Sequence, residues 1–216
     1  GQMVIIHLLV NVIDAMGANA VNTMVEKIAH VILEKKMVKA QINLKIISNL
    51  AVHRMAKCSA IFDKDLLGGP EVIERILDAH AFAKADPFRA ATANKGIMNG
   101  IDALALATGN DTRAIEAGAH AFASLNGNYR SLTDYYIDND ENLVGSIEIP
   151  MAMATYGGII NKHPMTKIAI KILDVKSAEE LSQVAAAVGL AQNLAALRAL
   201  ADEGIQSGHM KLHIRK

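Results

Sequence analysis

The sequence predicts an α+β fold in which a small β-α-β portion leads into a larger, mainly helical domain that also contains strands. Two patterns carry this, a strand-helix-strand periodicity and then a change of character. Residues Met3 to Ile13 are β-branched and apolar, Val21, Met24, Val25, Ile28, Val31 and Ile32 then recur at helical spacing, and Gln41 to Ser48 alternates again. From Pro70 onward, alanine-rich stretches bounded by caps and stops replace that alternation.

Taken in order, the first unit leaves about six residues, Lys35 to Ala40, between helix and second strand, which suits a small α+β layer. Helices follow over Glu71 to Ala85, Arg89 to Ala107 and Thr112 to Ser124, with Gly109 as a stop signal and Asp111 as a candidate N-cap. Tyr135 to Asp138 and Val144 to Ile149 supply strands, and a turn through Gly157-Gly158 comes next. Two more helices run over Met165 to Leu173 and Ala178 to Ala201, the second interrupted or kinked near Gly189 because glycine weakens a helix interior.

Composition narrows the function. A chain of 216 residues that is 51% hydrophobic and 20% charged can bury one core or two small ones. Its 22 basic and 22 acidic residues give no net charge, so there is no electrostatic reason to expect nucleic acid or an anionic membrane as partner. Cys58 is the single cysteine, which excludes an internal disulfide and a multi-cysteine metal site and points to a reducing, cytoplasmic home. Apolar runs such as Met3 to Ile13 are interrupted by His7 and Asn11 and are too short to span a bilayer, and the start lacks the marks of a signal peptide. The chain opens on Gly1-Gln2 and stops on Arg215-Lys216, and reads as a piece of something longer. No histidine pair has ligand spacing, so no metal is expected, and neither Ser124 nor Ser131 sits in a nucleophile elbow.

Three strings carry chemistry. The first, Asp14-Ala15-Met16-Gly17-Ala18-Asn19-Ala20-Val21-Asn22-Thr23, lies where strand turns into helix, and a glycine with free helix N-terminal amides suits a phosphate. It is not the GxGxxG fingerprint, and a turn capped by Asp14, Asn19 or Thr23 explains it as well. The second runs from Asp86 through Arg89, Lys95 and Asn99 to Thr108-Gly109-Asn110-Asp111; Lys95 and Asn99 share a helix face. A lysine among Ala, Gly and Met would be partly desolvated and would stay charged beside an anion, for which Asp111 is the candidate, although a solvated Lys95 and a capping Asp111 fit the spacing equally. The third joins Gln192 to Gly208-His209-Met210-Lys211-Leu212-His213, where an imidazole could move a proton near neutrality, although with eight histidines in the chain an incidental surface histidine is the simpler reading of the string.

These strings resemble, in order and along essentially the whole chain, those of class II, bacterial and archaeal type, 3-hydroxy-3-methylglutaryl-CoA (HMG-CoA) reductases. The DAMGANxVNT match implies a small, ferredoxin-like cofactor-binding domain over 1–48, with Asp14, Met16, Gly17 and Asn19 near the dinucleotide, NADH or NADPH. The NKGxMNGID and ATGND matches imply that Lys95 and Asp111 are catalytic and that Arg89, Asn99 and Asn49 bind substrate, within a large domain over 49–203. Gln192 resembles a residue near the substrate, and the GHMxLH match selects His209 as general acid in a C-terminal flap that begins over 204–216. The resemblance further implies HMG-CoA and mevalonate as ligands, release of CoA, and a homodimer or higher homo-oligomer with the site at the subunit boundary. Two departures stand out: Ala93 where class II enzymes often have His, and Tyr156-Gly157-Gly158-Ile159-Ile160 in place of a VGGAT-like segment. The ENxxG segment with a catalytic glutamate is missing from these residues, so the piece is expected to be inactive by itself. A CoA- or nucleotide-binding relic without catalysis, and an unrelated helical structural protein, are the rival expectations.

Overall fold

A computed structural model of the chain describes residues 3–35 and 41–201. Helix α1 (Ala18–Glu34) is followed by strand β1 (Met55–Phe62), the short helix α2 (Lys64–Leu67), helices α3 (Pro70–Ala85), α4 (Pro87–Ala107) and α5 (Thr112–Ala123), strands β2 (Thr133–Ile137) and β3 (Leu143–Pro150), and helices α6 (Pro164–Leu173) and α7 (Ala178–Ala201). The helical run from α3 to α5 begins and ends within two residues of the predicted bounds. Each has a local cause. Pro70 and Pro87 occupy first helical positions, where a missing N–H costs nothing, and the Asp86 and Asp111 carboxylates accept from Arg89 N and Ala114 N as N-caps.

The strands form one antiparallel sheet in the order β1-β3-β2, with Met55 opposite Pro150 and Thr133 opposite Ile147. Strand β1 and helix α2 were not foreseen, because Met55 to Phe62 mixes Ala, Ser and Lys with few β-branched residues and pairs only with a strand far along the chain. Opposite Gly145 lies Tyr135, whose ring fills the space a Cβ would need.

Helix α7 forms the centre, packed on α3, α4, β1 and β3. By length and hydropathy it is apolar enough to cross a bilayer, which the shorter runs considered from sequence are not; here ten of its residues face the core. It also runs without interruption through Gly189, contrary to the expected break. At that point a Cβ would sit 2.9 Å from Ile101 of α4, so glycine is there to let the helices approach, and packing outweighs its low helix propensity.

The first unit departs most from expectation. Helix α1 forms, but residues 3–13 and the described residues 41–48 make no strand ladder, and Met3, Ile5, Leu9, Leu44 and Ile46 are exposed. A strand is held by a neighbouring strand, and a β-α-β pattern states only where strands can form. The ferredoxin-like layer is therefore not formed by the described residues themselves. Asn22 of α1 accepts from Ile47 N at 2.8 Å and ties the second segment to the helix.

Candidate functional site

Residues 153–156, which follow β3, join two of the three chemistry-bearing strings. On one side, Asn110 grips Ala154, accepting from its N–H at 2.7 Å and donating to its carbonyl at 3.1 Å. On the other, the Asp14 carbonyl accepts from Thr155 N and Tyr156 N. Arg54 closes the arrangement by donating to the carbonyls of Ala15, Met16 and Met153. Burial pulls the guanidinium below its ordinary pKa and the Asp14 carboxylate opposes this, so charge and acceptors are matched. Asp14-Met16 and Thr108-Asp111, more than 90 residues apart, thus lie on either side of one short segment.

Asp14 does not cap α1. Its carboxylate accepts from Ala178 N at 2.8 Å, at the positive end of α7, where a negative charge is stabilised. Gly17 is the N-cap of α1 instead, with φ 95°, and a Cβ there would lie 2.5 Å from Val12. Among the described residues no side chain caps this terminus: Thr23 donates back to the Asn19 carbonyl, and Asn19 is exposed. The leading amides of α1, beside Met16 and Gly17, are therefore free to face a phosphate, while one oxygen of the Asp14 carboxylate is engaged by α7.

A second group lies on α4 and α7. Lys95 and Asn99 are exposed one turn apart, and Gln192 Cβ packs against Gly100, so Gln192 borders the same α4/α7 crossing. Arg89 is half-buried in the first turn of α4, and Asn49 is exposed with its carbonyl against Gly118 of α5. The desolvated Lys95 that the sequence suggested is not found.

Nor does one chain bring Lys95 to Asp111. Lys95 and Ala107 are twelve residues apart on α4, about 18 Å of rise, whereas a lysine side chain reaches roughly 6 Å and leans toward the helix N-terminus. Asn110 N donates to the Ala105 carbonyl at 2.8 Å, which keeps Asp111 at the far end of α4. There Asp111 caps α5 and lies 4.0 Å from Arg113. The structure divides the expected constellation into a Lys95, Asn99 and Gln192 half and an Asp111 half, with the dinucleotide string on the latter side. His209 and the expected flap lie outside the described residues.

Sequence reasoning passed over several residues that hold these halves. Asn94 donates to the Arg130 carbonyl and accepts from Leu132 N, and Asn193 accepts from Thr133 and Tyr135; both asparagines are buried. A polar residue on an otherwise apolar helix face was their available signal. Arg54 had none, since its acceptors are backbone groups distant in sequence.

The Gly-rich turn differs from its usual spelling and sits in the Asp111 half: Gly157 and Gly158 have positive φ, and Ile159 packs on Gly109 beside Asn110.

Comparison with known proteins identifies the family of the chain. The family model described as hydroxymethylglutaryl-coenzyme A reductase matches residues 1–214. A 3-hydroxy-3-methylglutaryl-coenzyme A reductase of Archaeoglobus fulgidus is 61% identical over 215 residues, covering 100% of this chain and 49% of the relative. A probable enzyme of the same name from Borreliella burgdorferi is 42% identical over 216 residues, covering 98% of this chain and 49% of the relative. Among solved structures, a class II enzyme from Streptococcus pneumoniae bound to NADPH in open conformations superposes with a TM-score of 0.85 at 47% identity, over 94% of this chain and 50% of that one. The chain spans about half the length of the curated relatives it matches. With the family model matched across nearly every residue and a relative 61% identical along the whole chain, the chain belongs to the hydroxymethylglutaryl-coenzyme A reductase family.

Proposed function

We propose that the complete protein to which this chain belongs reduces HMG-CoA to mevalonate with two equivalents of NADH or NADPH, releasing CoA, at sites that two copies build together in the cytoplasm. The observation that carries the shared site is the division of Lys95 from Asp111 within one chain. A second copy related by a two-fold axis can bring the exposed face of α4 to the Asp111 end of its partner.

In this reading residues 1–48 contribute to the cofactor domain, 49–203 to the substrate domain, and 204–216 begin a closing flap. The amides at Met16 to Asn19 hold the dinucleotide; when bound, it supplies hydride. Lys95 donates a hydrogen bond to the thioester oxygen as that oxygen gains charge, and Asp111 of the other copy keeps the ammonium in place. Arg89, Asn99, Asn49 and Gln192 orient the substrate. The hemithioacetal then loses CoA as a thiol, its sulfur protonated by His209, and the resulting mevaldehyde is reduced in turn to the alcohol.

Subunit mixing tests this. Lys95→Ala and Asp111→Ala full-length proteins are each expected to lose about 100-fold or more of HMG-CoA-dependent NAD(P)H oxidation. Refolded together in equal amounts they should regain about a quarter of normal turnover, because half the dimers are mixed and each mixed dimer has one intact site of two. No recovery would place both residues in one copy's site and overturn the proposal.

A further inference from the structure

Asp102 of α4 belongs to none of the roles above. It follows Asn99 by three residues and Lys95 by seven, so all three stand on one face of α4. Its carboxyl faces that of Glu116, on α5, within hydrogen-bonding range. Its Oδ1 is sealed from solvent and has no hydrogen-bond partner among the described residues. Two carboxylates cannot both ionise cheaply at such a contact; a cation or a shared proton must relieve them. Among the described residues, the charged groups around the pair offer no cation. Arg113 approaches Asp111, His120 is engaged by the Tyr129 hydroxyl, and Lys95 is two turns back along α4. No Lys, Arg or His of α3, α6 or α7 forms an ion pair with either carboxyl among the described residues.

We infer that Asp102 and Glu116 are positioning residues: a proton shared between them fastens α5, with Asp111 at its N-cap, to the α4 face that carries Lys95 and Asn99. The inference rests on the reductase reading for its consequence in turnover but not for the contact itself. Burial and the neighbouring Glu116 push the Asp102 carboxyl up to about 6. The fastening therefore holds below that pH and loosens above it, as both groups become charged and repel. An asparagine at 102 can donate to Glu116 at every pH and does not titrate.

Two measurements on the full-length protein decide the matter. In the first, melting temperature is followed against pH for the unsubstituted protein, Asp102→Asn and Glu116→Gln. The raised carboxyl destabilises the folded state progressively as pH rises from its ordinary value to about 6, and fully above that. Both variants should therefore gain on the parent across that window, reaching about 2 °C or more at pH 8, with the gain vanishing near pH 4. Parallel curves overturn proton sharing. In the second, the ratio of kcat for Asp102→Asn to that of the parent should rise about threefold or more between pH 5.5 and 8, with KM for HMG-CoA little changed. Groups that titrate alike in both proteins cancel in that ratio. A ratio independent of pH overturns the positioning role, and Glu116→Gln repeats the test should Asp102→Asn fail to fold. Absence of HMG-CoA-dependent NADPH oxidation in the unsubstituted protein tells against the reductase reading instead, and the melting curves still decide whether the proton is shared.

Discussion

Replacing Arg54 by leucine strips the donor from the carbonyls of Ala15, Met16 and Met153 and leaves Asp14 without its nearby cation. Charge-assisted bonds of this kind contribute about 1.5–3 kcal/mol when the acceptors stay buried, so Arg54→Leu should lower stability by about 2 kcal/mol or more in a denaturant titration. The same change should weaken dinucleotide binding, because Met16 then loses its tether. Gly17 answers to a different constraint: with φ 95° and a would-be Cβ at 2.5 Å from Val12, alanine brings both strain and overlap. Gly17→Ala is expected to cost about 1–3 kcal/mol, read as a fall in melting temperature, and to raise KM for the nicotinamide. Position 17 was legible from sequence as a glycine at a strand-to-helix junction; the steric reason became visible only with Val12 beside it. Asp14 shows the opposite case, since a cap for the helix four residues on and a cap for one 164 residues away look alike in a string.

At the scale of elements, the α4/α7 crossing illustrates how packing overrides local preference. Gly100 and Gly189 face Val188 and Ile101 across it, at distances of 2.9 Å for an added Cβ, and α7 stays helical through a residue that alone would weaken it. Valine at 189 must push the helices apart, so Gly189→Val should destabilise by about 1–3 kcal/mol and also lower activity, because Gln192 rides on the same helix beside Gly100. Circular dichroism showing unchanged helix content with a lower melting temperature is the expected outcome. The capped helices α3 to α5 were readable because capping and periodicity are local. Strand β1 was not, because its pairing with β3 joins residues about 90 apart and its own side chains are small.

At the scale of the whole molecule, two titrations of opposite sense act on its stability over the same acid range. Burial pushes the His80 imidazole below its ordinary range, so the folded state resists protonation and loses stability as pH falls through the unfolded histidine value, despite the help of Asp134. Asp102 loses stability in the other direction, as pH climbs to about 6. The two windows overlap on the acid side, so the effects offset one another there: relative to the parent, His80→Gln should gain melting temperature as pH falls below the ordinary histidine value and show no pH-dependent difference on the alkaline side.

The sequence by itself determined the family, the helical run from Pro70 to Ala123 and the identity of the motif strings, because each rests on residues close together in the chain. Only the tertiary structure decided that Asp14 serves α7, that Arg54 and Asn110 clasp residues 153–156, and that Lys95 and Asp111 stand at different ends of α4. A helix of 21 residues is a rigid spacer, and how far apart it holds two side chains is a property of geometry that the order of letters does not state.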